Sequence, residues 1–354
     1  MSDVGVIAIG RNEGERLRHC LASVAGRGMP VVYVDSASTD GSVELARSMG
    51  AEVVALDMSR PFSAARARNE GFERLMQLAP ALRFVQFVDG DCEMVEGWVE
   101  RARRELESRS EVAVVCGRRR ERFPDASVYN RLADLEWDTP VGEAKSCGGD
   151  AMMRVEAFRS VGGFDAAVAA GEEPELCQRL RAAGHKVLRV DAEMSLHDSA
   201  MLRFGQWWKR AVRSGYGAMD VATRFGGQGL FVKQVQSART WAVGWSGWVV
   251  ALVLLVVMHQ IAAAGSIKRI LSWAILFGLI VLAALPLQMV RLALRVRPRV
   301  PDWKTAAAYG VLTMIGKWAN VAGQHQYRRD RSAGRNTRLI EYKSSCATPI
   351  TKPT

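Results

Sequence analysis

The sequence predicts an α/β domain with a mostly parallel sheet and helices on both faces, followed by a transmembrane helical hairpin. Two observations lead to this prediction. Short, nearly continuous apolar segments alternate with amphipathic ones over the first third of the chain, which is typical of a parallel sheet buried on both faces. Residues 241–264 and 270–290 contain no Asp, Glu, Lys or Arg, and each segment is long enough to cross a bilayer.

The elements of the α/β domain follow from this alternation. The predicted strands are residues 4–9, 31–35, 52–56, 84–88 and 112–117. The predicted helices between them are residues 13–25, 41–49, 63–78 and 96–106. Beyond residue 118 the pattern is less regular, and we expect one further helix at 173–183, closed by Gly184, and a strand at 186–190.

Basic residues flank the two apolar segments and predict their orientation. Lys233 and Arg239 precede the first segment, and five Lys or Arg residues lie between positions 291 and 304 after the second, against two in the connecting loop. Because cytoplasmic loops are enriched in Lys and Arg, both ends should lie in the cytoplasm. A third apolar stretch, 306–322, is shorter and contains Lys317. It predicts an interfacial helix at 303–323, with a third membrane span as the alternative.

The chain therefore divides into four predicted parts. These are a cytoplasmic α/β domain at 1–222, an interfacial linker at 223–240, two transmembrane helices within 241–290, and a basic cytoplasmic tail at 291–354. The apolar run at the start is too short for a signal peptide, and no basic segment precedes it. We expect a multi-pass protein of the cell (inner) membrane whose large domain is cytoplasmic.

The positive charge of the chain is concentrated in its last third. The chain carries 48 Lys and Arg and 37 Asp and Glu, but residues 241–354 hold 15 of the basic residues and only 3 of the acidic ones. A nucleic-acid-binding protein would carry this charge on its folded reader domain, whereas charge beside apolar segments suits anionic lipid. We therefore expect membrane lipid and no nucleic acid as a partner. The 6 cysteines show no CxxC pair, which indicates a reducing compartment.

Two carboxylates follow the predicted strand 84–88. Asp89 and Asp91 are spaced i, i+2 and should project from the carboxyl edge of the sheet, where open α/β folds bind ligands. Two such oxygen ligands suit Mg²⁺ or Mn²⁺ holding a diphosphate; an ordinary Asp-Gly-Asp turn is the alternative. His197 is either structural or a third ligand, and an imidazole would favour Mn²⁺.

Other polar residues stand at the ends of predicted elements. Asp35 ends a strand and could accept the imide N–H of uracil, thymine or guanine, or belong to a capping loop. Arg68 lies near a helix start, where it could contact an anion or face solvent. Glu172 and Glu173 open a helix as caps or as a general base. A cluster of aromatic, amide and basic residues before the membrane is an interfacial anchor or an acceptor-binding surface: Gln206, Trp207, Trp208 and Arg210.

Taken in order, these stretches resemble the family 2 glycosyltransferases of GT-A fold. Six stretches carry the resemblance: residues 6–13, Asp35 to Gly41, Ala67-Arg68-Asn69, Asp89-Gly90-Asp91, the glycine segments at 148–152 and 162–165, and Glu172-Glu173. The family's base is most often Asp, and here it is Glu. The membrane-embedded polysaccharide synthases carry Gln-x-x-Arg-Trp, and the different order of residues 206–210 argues against processive synthesis.

The resemblance implies a role for each matching residue. The nucleotide sugar would be bound by Asn12, Glu13, Asp35, Arg68 and Asp89. A divalent metal, Mn²⁺ or Mg²⁺, would be held by Asp89, Asp91 and His197. Glu173 would be the base, with Glu172 as the alternative, and the acceptor side would comprise Gly148, Gly149 and Asp150 together with the 206–210 cluster.

The implied reaction is an inverting transfer of a sugar from a UDP- or GDP-linked donor to a hydroxyl acceptor, of which a lipid-linked acceptor is one form. It would serve cell-envelope glycan, exopolysaccharide or glycolipid synthesis. Two alternatives stand beside it. One is a nucleotidyltransferase on a related α/β scaffold, although the loop after the first strand lacks a basic, glycine-rich phosphate site. The other is a catalytically inactive membrane scaffold of the same fold.

Overall fold

The computed structural model describes residues 2–227, 229–262 and 265–334. Its N-terminal part is built on a single nine-stranded sheet. The strands are β1 (Val4–Gly10), β2 (Val31–Asp35), β3 (Glu52–Ala55), β4 (Phe84–Asp89), β5 (Cys92–Met94), β6 (Val112–Glu121), β7 (Gly142–Glu143), β8 (Ala151–Arg154) and β9 (Lys186–His197).

Helices cover both faces of the sheet and then form the C-terminal region. They are α1 (Glu15–Val24), α2 (Ser42–Ser48), α3 (Ala64–Leu78), α4 (Trp98–Ser108), α5 (Val128–Glu136), α6 (Val155–Ser160), α7 (Glu172–Ala182), α8 (Phe204–Arg224), α9 (Val232–Arg239), α10 (Trp245–Ile261), α11 (Ser266–Leu282), α12 (Ala284–Val296) and α13 (Trp303–Ser332). A π-helical turn, Thr240–Gly244, joins α9 to α10.

The sheet confirms the α/β class and is mixed in direction. Its order is β3-β2-β1-β4-β8-β6-β9-β5, with β7 also paired to β9. The first four strands in this order are parallel, as predicted, but β8 enters between β4 and β6 antiparallel to both. The sequence of β8, Ala-Met-Met-Arg, has no β-branched residue, so it lacks the usual composition of a strand. Strands β6 and β9 also extend beyond their predicted ends. Their second halves are polar, so the apolar pattern used for the prediction did not include them.

The hydrophobic core lies on both sides of β1 and β4 and fixes the end of β4. All residues of β4 before Asp89 are buried. Phe87 packs against Phe158 and Phe164 with ring centroids 5.4 and 5.3 Å apart. Each such ring contributes about 1.5–3 kcal/mol by leaving water. The carboxyl end of β4, where the acidic residues follow, is therefore held rigidly.

Two helical runs are long and apolar enough, by length and composition, to cross a membrane. The first, Val232–Ile261, comprises α9 and α10, and the second, Ser266–Arg299, comprises α11 and α12. Only 11% and 17% of their apolar windows are buried. The two runs contact each other where the Trp248 indole donates a hydrogen bond to the Gly278 carbonyl at 3.2 Å. Residues 263–264, the end of the first predicted span, lie outside the described residues.

The predicted interfacial helix at 303–323 corresponds to α13, which is 30 residues long and packs against α8. Glycines bring the two backbones close together. A Cβ on Gly323 would lie 2.0 Å from the Val212 carbonyl oxygen, and Asn320 Nδ2 donates to the Ala211 carbonyl at 2.9 Å. The predicted linker contains α9, whose Arg239 donates to Gln324 on α13 at 2.9 Å. Residues 335–354 of the predicted tail lie outside the described part of the chain.

Candidate active site

A cavity of about 630 Å³ opens at the carboxyl ends of β1 and β4 and extends along α8 to α9. It brings together residues from distant parts of the sequence. Ten of the predicted site residues line it: Asn12, Glu13, Arg68, Asp89, Asp91, Gly149, Glu172, Glu173, His197 and Arg210. Parallel strands bring their carboxyl ends to one edge, which explains why residues following β1 and β4 meet there.

Arg68 bridges two of the acids. It is buried, and its Nη2 lies 2.7 Å from Asp89 Oδ1 while its Nη1 lies 2.5 Å from Glu172 Oε1. Burial alone would lower the pKa of the Arg68 guanidinium, but the charges of Asp89 and Glu172 outweigh it and raise the pKa. Ser63 caps α3 by accepting a hydrogen bond from the Arg66 N–H at 3.1 Å, which sets the first turn from which Arg68 reaches the cavity.

Asn69, the neighbour of Arg68, connects α3 to the segment that leads into α7. Its Nδ2 donates to the Phe164 carbonyl at 2.7 Å, and its Oδ1 accepts from the Phe164 N–H at 3.0 Å. A side-chain amide that is bonded on both sides fixes the two backbones relative to each other. This contact explains why Glu172, 104 positions along the chain, meets Arg68.

Arg119 is a second buried arginine at the site, and sequence reasoning missed it. Its Nη2 lies 3.1 Å from Asp150 Oδ2 and 3.7 Å from Asp89 Oδ2, and its guanidinium lies over the Trp137 ring, 5.6 Å from the centroid. Burial lowers the pKa of Arg119, but Asp150 and the neighbouring acids raise it by more. The predicted strand ended at residue 117, before the run of three arginines. Side-chain alternation along a longer strand would have placed Arg119 on one face with Glu121.

The strand pairing of β5 with β9 places Asp91 beside His197. Cys92 is opposite His197 in this ladder, and His197 Nε2 lies 3.3 Å from Asp91 Oδ2, with only 5% and 9% of the two side chains exposed. Ligand atoms of Asp91, Cys92 and His197 lie within 4.8 Å of one another. Burial raises the pKa of the Cys92 thiol well above its usual value. Mn²⁺ and Mg²⁺ prefer oxygen and nitrogen ligands to sulfur, so the Asp91 carboxylate and the His197 imidazole are the ligands of this group that suit them.

The two glutamates at the start of α7 differ in their environment. Glu172 is buried and paired with Arg68. Glu173 is half-buried, and its carboxylate makes no ion pair with any described residue. Desolvation, together with repulsion from Glu172, raises the pKa of Glu173 from 4.5 to about 7. A carboxyl group of this pKa is half ionised near neutral pH, which suits a general base.

Two of the predicted acids do not line the cavity. Asp35 is buried, and its oxygens accept hydrogen bonds from Tyr33 Oη at 3.1 Å and the Ser38 N–H at 2.8 Å. Asp150 is fully buried and accepts from the Asp89 N–H at 3.0 Å and from Ser195 Oγ at 2.6 Å. Asp150 therefore helps to hold Asp89 in place and does not itself line the cavity.

The loop after β1 is joined to the loop after β2 by Asn12. This residue lines the cavity with a left-handed backbone, φ 55°. Its N–H donates to Ser38 Oγ at 2.9 Å, and its Oδ1 accepts from the Thr39 N–H at 2.7 Å. Glu13 lies 2.9 Å from Arg16 Nη2. Together these contacts shape the part of the cavity wall that the loop after β1 forms.

Position 149 requires glycine because neighbouring side chains leave no space for a Cβ, and position 148 favours glycine because its φ is positive. A Cβ on Gly149 would lie 2.7 Å from Asp89 Oδ2 and 3.1 Å from a guanidinium nitrogen of each of Arg68 and Arg119. Gly148 has φ 78° and does not line the cavity. Only a residue without a side chain fits at 149 while the ion pairs are formed.

Of the four predicted acceptor-side residues of α8, one lines the cavity and three make packing or capping contacts. Gln206 Oε1 caps the helix by accepting from the N–H groups of residues 202 and 203. Trp207 is buried and stacks on Tyr129, with centroids 6.1 Å apart, and Trp208 is half-buried beside Phe204. Arg210 lines the cavity and donates to Glu136 at 2.8 Å. The other three do not line it.

Known proteins resemble this chain in sequence. It is 26% identical over 235 residues to glycosyltransferase AglE of Haloferax volcanii, covering 62% of this chain and 73% of that protein. It is 26% identical over 189 residues to the succinoglycan biosynthesis protein ExoA of Rhizobium meliloti, covering 50% and 55%. It is 28% identical over 238 residues to the pre-mycofactocin glycosyltransferase of Mycobacterium tuberculosis, covering 63% and 48%. The chain spans about half the length of the last two.

A solved structure has the same fold. The mannosyltransferase PcManGT from Pyrobaculum calidifontis, in complex with GDP-Man and Mn²⁺, aligns with a TM-score of 0.58 at 16% identity over 93% of this chain and 88% of that one. The sequence model of glycosyl transferase family 2 matches residues 6–161, and that of glycosyl transferase family group 2 matches residues 84–287. The second match alone covers more than half of the chain, which therefore belongs to the family 2 glycosyltransferases and has a GT-A fold.

Proposed function

We propose that this enzyme transfers a sugar from a UDP- or GDP-linked donor to a hydroxyl acceptor with inversion of configuration. The observation that carries the proposal is that Glu173, which forms no ion pair with any described residue, lines the same cavity as Asp89, Asp91 and His197. Burial and repulsion from Glu172 raise the pKa of Glu173 to about 7. An in-line displacement needs a base that is ionised near neutral pH and acidic residues that can hold a metal. This cavity contains both.

The donor set fits a divalent metal. Asp91 supplies a carboxylate oxygen and His197 an imidazole nitrogen, a combination that Mn²⁺ accepts more readily than Mg²⁺ does. Asp89 pairs with Arg68 and Arg119, which supports a role for it at the nucleotide. A metal bound by Asp91 and His197 supplies positive charge that stabilises the diphosphate leaving group.

The protein's own groups would act in three ways. Glu173 takes the proton of the acceptor hydroxyl as that oxygen attacks the anomeric carbon from the face opposite the nucleotide. Arg68 and Arg119 line the same cavity, where their guanidinium N–H groups would be donors to the negative charge that develops on the departing diphosphate. Glu172 is held by Arg68 and so leaves the role of base to Glu173.

A lipid-linked acceptor and an inner-membrane location belong to the same proposal. The cavity wall continues along α8 to Phe231 and Gln234, and the first apolar run begins at Val232. An acceptor held at the membrane surface would thus reach the cavity from the side of α9. The excess of Lys and Arg outside the connecting loop supports a cytoplasmic catalytic domain. Succinoglycan biosynthesis, named for one relative, supports a role in cell-envelope glycan or exopolysaccharide synthesis.

The test uses the full-length protein in detergent with UDP or GDP, with and without Mn²⁺. We expect Mn²⁺ with one of these nucleotides to raise the melting temperature of the wild type. Asp91→Asn should melt normally without ligand but lose this rise and all sugar transfer. Asp125→Asn, at a side chain that is 85% exposed and does not line the cavity, is the matched control. Normal turnover by Asp91→Asn would refute the metal site, and no response of the wild type would favour an inactive scaffold.

A further inference from the structure

Glu121, at the end of β6, is a buried carboxylate that the proposed mechanism does not use. Its side chain is 0% exposed. Its oxygens accept hydrogen bonds from the N–H groups of Phe123 at 3.1 Å and Ser199 at 3.2 Å, and from Asn130 Nδ2 at 3.3 Å. All three donors are neutral. Among the described residues no Lys or Arg pairs with Glu121, and the only ion-pair partner within 4 Å is His197.

His197 lies between two carboxylates, one at each ring nitrogen. Its Nε2 is 3.3 Å from Asp91 Oδ2, and its Nδ1 is 3.8 Å from Glu121 Oε2. The buried Nδ1 has no hydrogen-bond partner within bonding distance in this structure. Glu121 and His197 are opposite each other in the β6–β9 ladder, and the edge of Trp137 packs on the imidazole with centroids 4.8 Å apart. The imidazole is thus packed against Trp137 with its Nδ1 edge toward Glu121.

A buried carboxylate without a cation is costly, because the desolvation of its charge is not compensated. A carboxylate beside Nδ1 favours the tautomer that carries its proton on Nδ1, which leaves the lone pair of Nε2 directed toward Asp91. A carboxylate that orients a metal-binding histidine in this way also makes the imidazole a stronger ligand.

We propose that Glu121 is a positioning residue for the metal. By accepting a hydrogen bond from the Nδ1–H group of His197, it orients the imidazole as a nitrogen ligand and compensates part of the charge of the bound ion. Asn130 supports this arrangement, because its Oδ1 accepts from Ser199 Oγ at 2.9 Å and from the Met201 N–H at 3.0 Å while its Nδ2 bonds Glu121. This inference rests on the proposed function, in which Asp91 and His197 bind the metal.

The experiment titrates the full-length protein with Mn²⁺ alone and follows free Mn²⁺ by electron paramagnetic resonance. Glu121→Gln keeps the shape of the side chain and removes its charge, and it should weaken Mn²⁺ binding by about 10- to 100-fold. Spin-echo modulation from the coordinated imidazole nitrogen should be present in the wild type, absent in His197→Ala, and weakened in Glu121→Gln. Asp220→Asn is the matched control, because Asp220 is a buried carboxylate on α8 that pairs with Arg224. It should bind Mn²⁺ as the wild type does.

The outcomes separate the two proposals. If the wild type binds no Mn²⁺, or if Asp91→Asn binds it equally well, the proposed metal site is wrong and this inference falls with it. If the wild type binds Mn²⁺ and Glu121→Gln binds it with unchanged affinity and nitrogen modulation, only the role of Glu121 is refuted. Should Glu121→Gln fail to fold, Glu121→Asp retains the charge but withdraws it from Nδ1. That variant should keep the nitrogen modulation with several-fold weaker binding, and wild-type affinity in it would overturn the inference.

Discussion

The pKa of Glu173 makes a quantitative prediction about the pH dependence of sugar transfer. A base with a pKa of about 7 is ionised to about one-tenth at pH 6 and about nine-tenths at pH 8, so kcat/KM should rise about tenfold between them. The assay is the initial rate of transfer from the nucleotide sugar at saturating Mn²⁺, from pH 5.5 to 8.5. Glu173→Gln should lose activity and, in what remains, the rise of kcat/KM between pH 6 and 8.

Glu172→Gln is the matched comparison. It removes the charge that repels the Glu173 carboxylate and frees Arg68 from one partner, and both changes favour ionisation of Glu173. The acid limb should therefore move to lower pH while the enzyme stays active. If Glu172→Gln abolishes transfer and Glu173→Gln retains it, the assignment of the base is reversed and the reasoning from ion pairing is refuted.

The same shift predicts an effect on stability. The folded-state pKa of Glu173 lies above its unfolded value of 4.5, so the fold favours the protonated form, and stability is lost as pH rises from about 4.5 through 7. A shift of this size corresponds to at most about 3 kcal/mol, less what solvent screens at this half-buried side chain. Glu173→Gln should therefore unfold at higher temperature than the wild type at pH 8, and the difference should vanish at pH 4.5.

Two glycine substitutions test the packing. Gly149→Ala places a Cβ 2.7 Å from Asp89 Oδ2 and should lower kcat about 100-fold by displacing the ion pairs. The control is Gly205→Ala, whose added Cβ would meet no neighbouring atom within 4 Å and should leave kcat unchanged. Equal activity of the two variants would contradict the geometry. Gly323→Ala places a Cβ 2.0 Å from a backbone oxygen of α8 and should cost about 2–3 kcal/mol in chemical unfolding. Gly316→Ala makes only an ordinary contact at 3.5 Å, so a similar loss in both variants would show that α13 does not pack as described.

Much of the N-terminal fold could be predicted because its strands are apolar throughout. Strands β1 to β4 lie within a residue of their predicted ends, since continuous burial leaves a continuous apolar run. The polar halves of β6 and β9 escaped prediction because their outward side chains face the site and not the core. Arg119, Glu121 and His197 all lie in those halves, so the strands that were hardest to delimit carry much of the site.

By itself the sequence determined the alternation of strands and helices, the two apolar runs, and which acids and bases stand at the ends of elements, because these depend on local pattern. The tertiary structure alone decided how the charges pair. Arg68 pairs with Glu172, while Glu173 forms no ion pair within the described part of the chain. Asp150 is buried and holds Asp89, and His197 lies between Asp91 and Glu121. Such choices depend on which side chains share a low-dielectric space, and only the packing of distant segments establishes that.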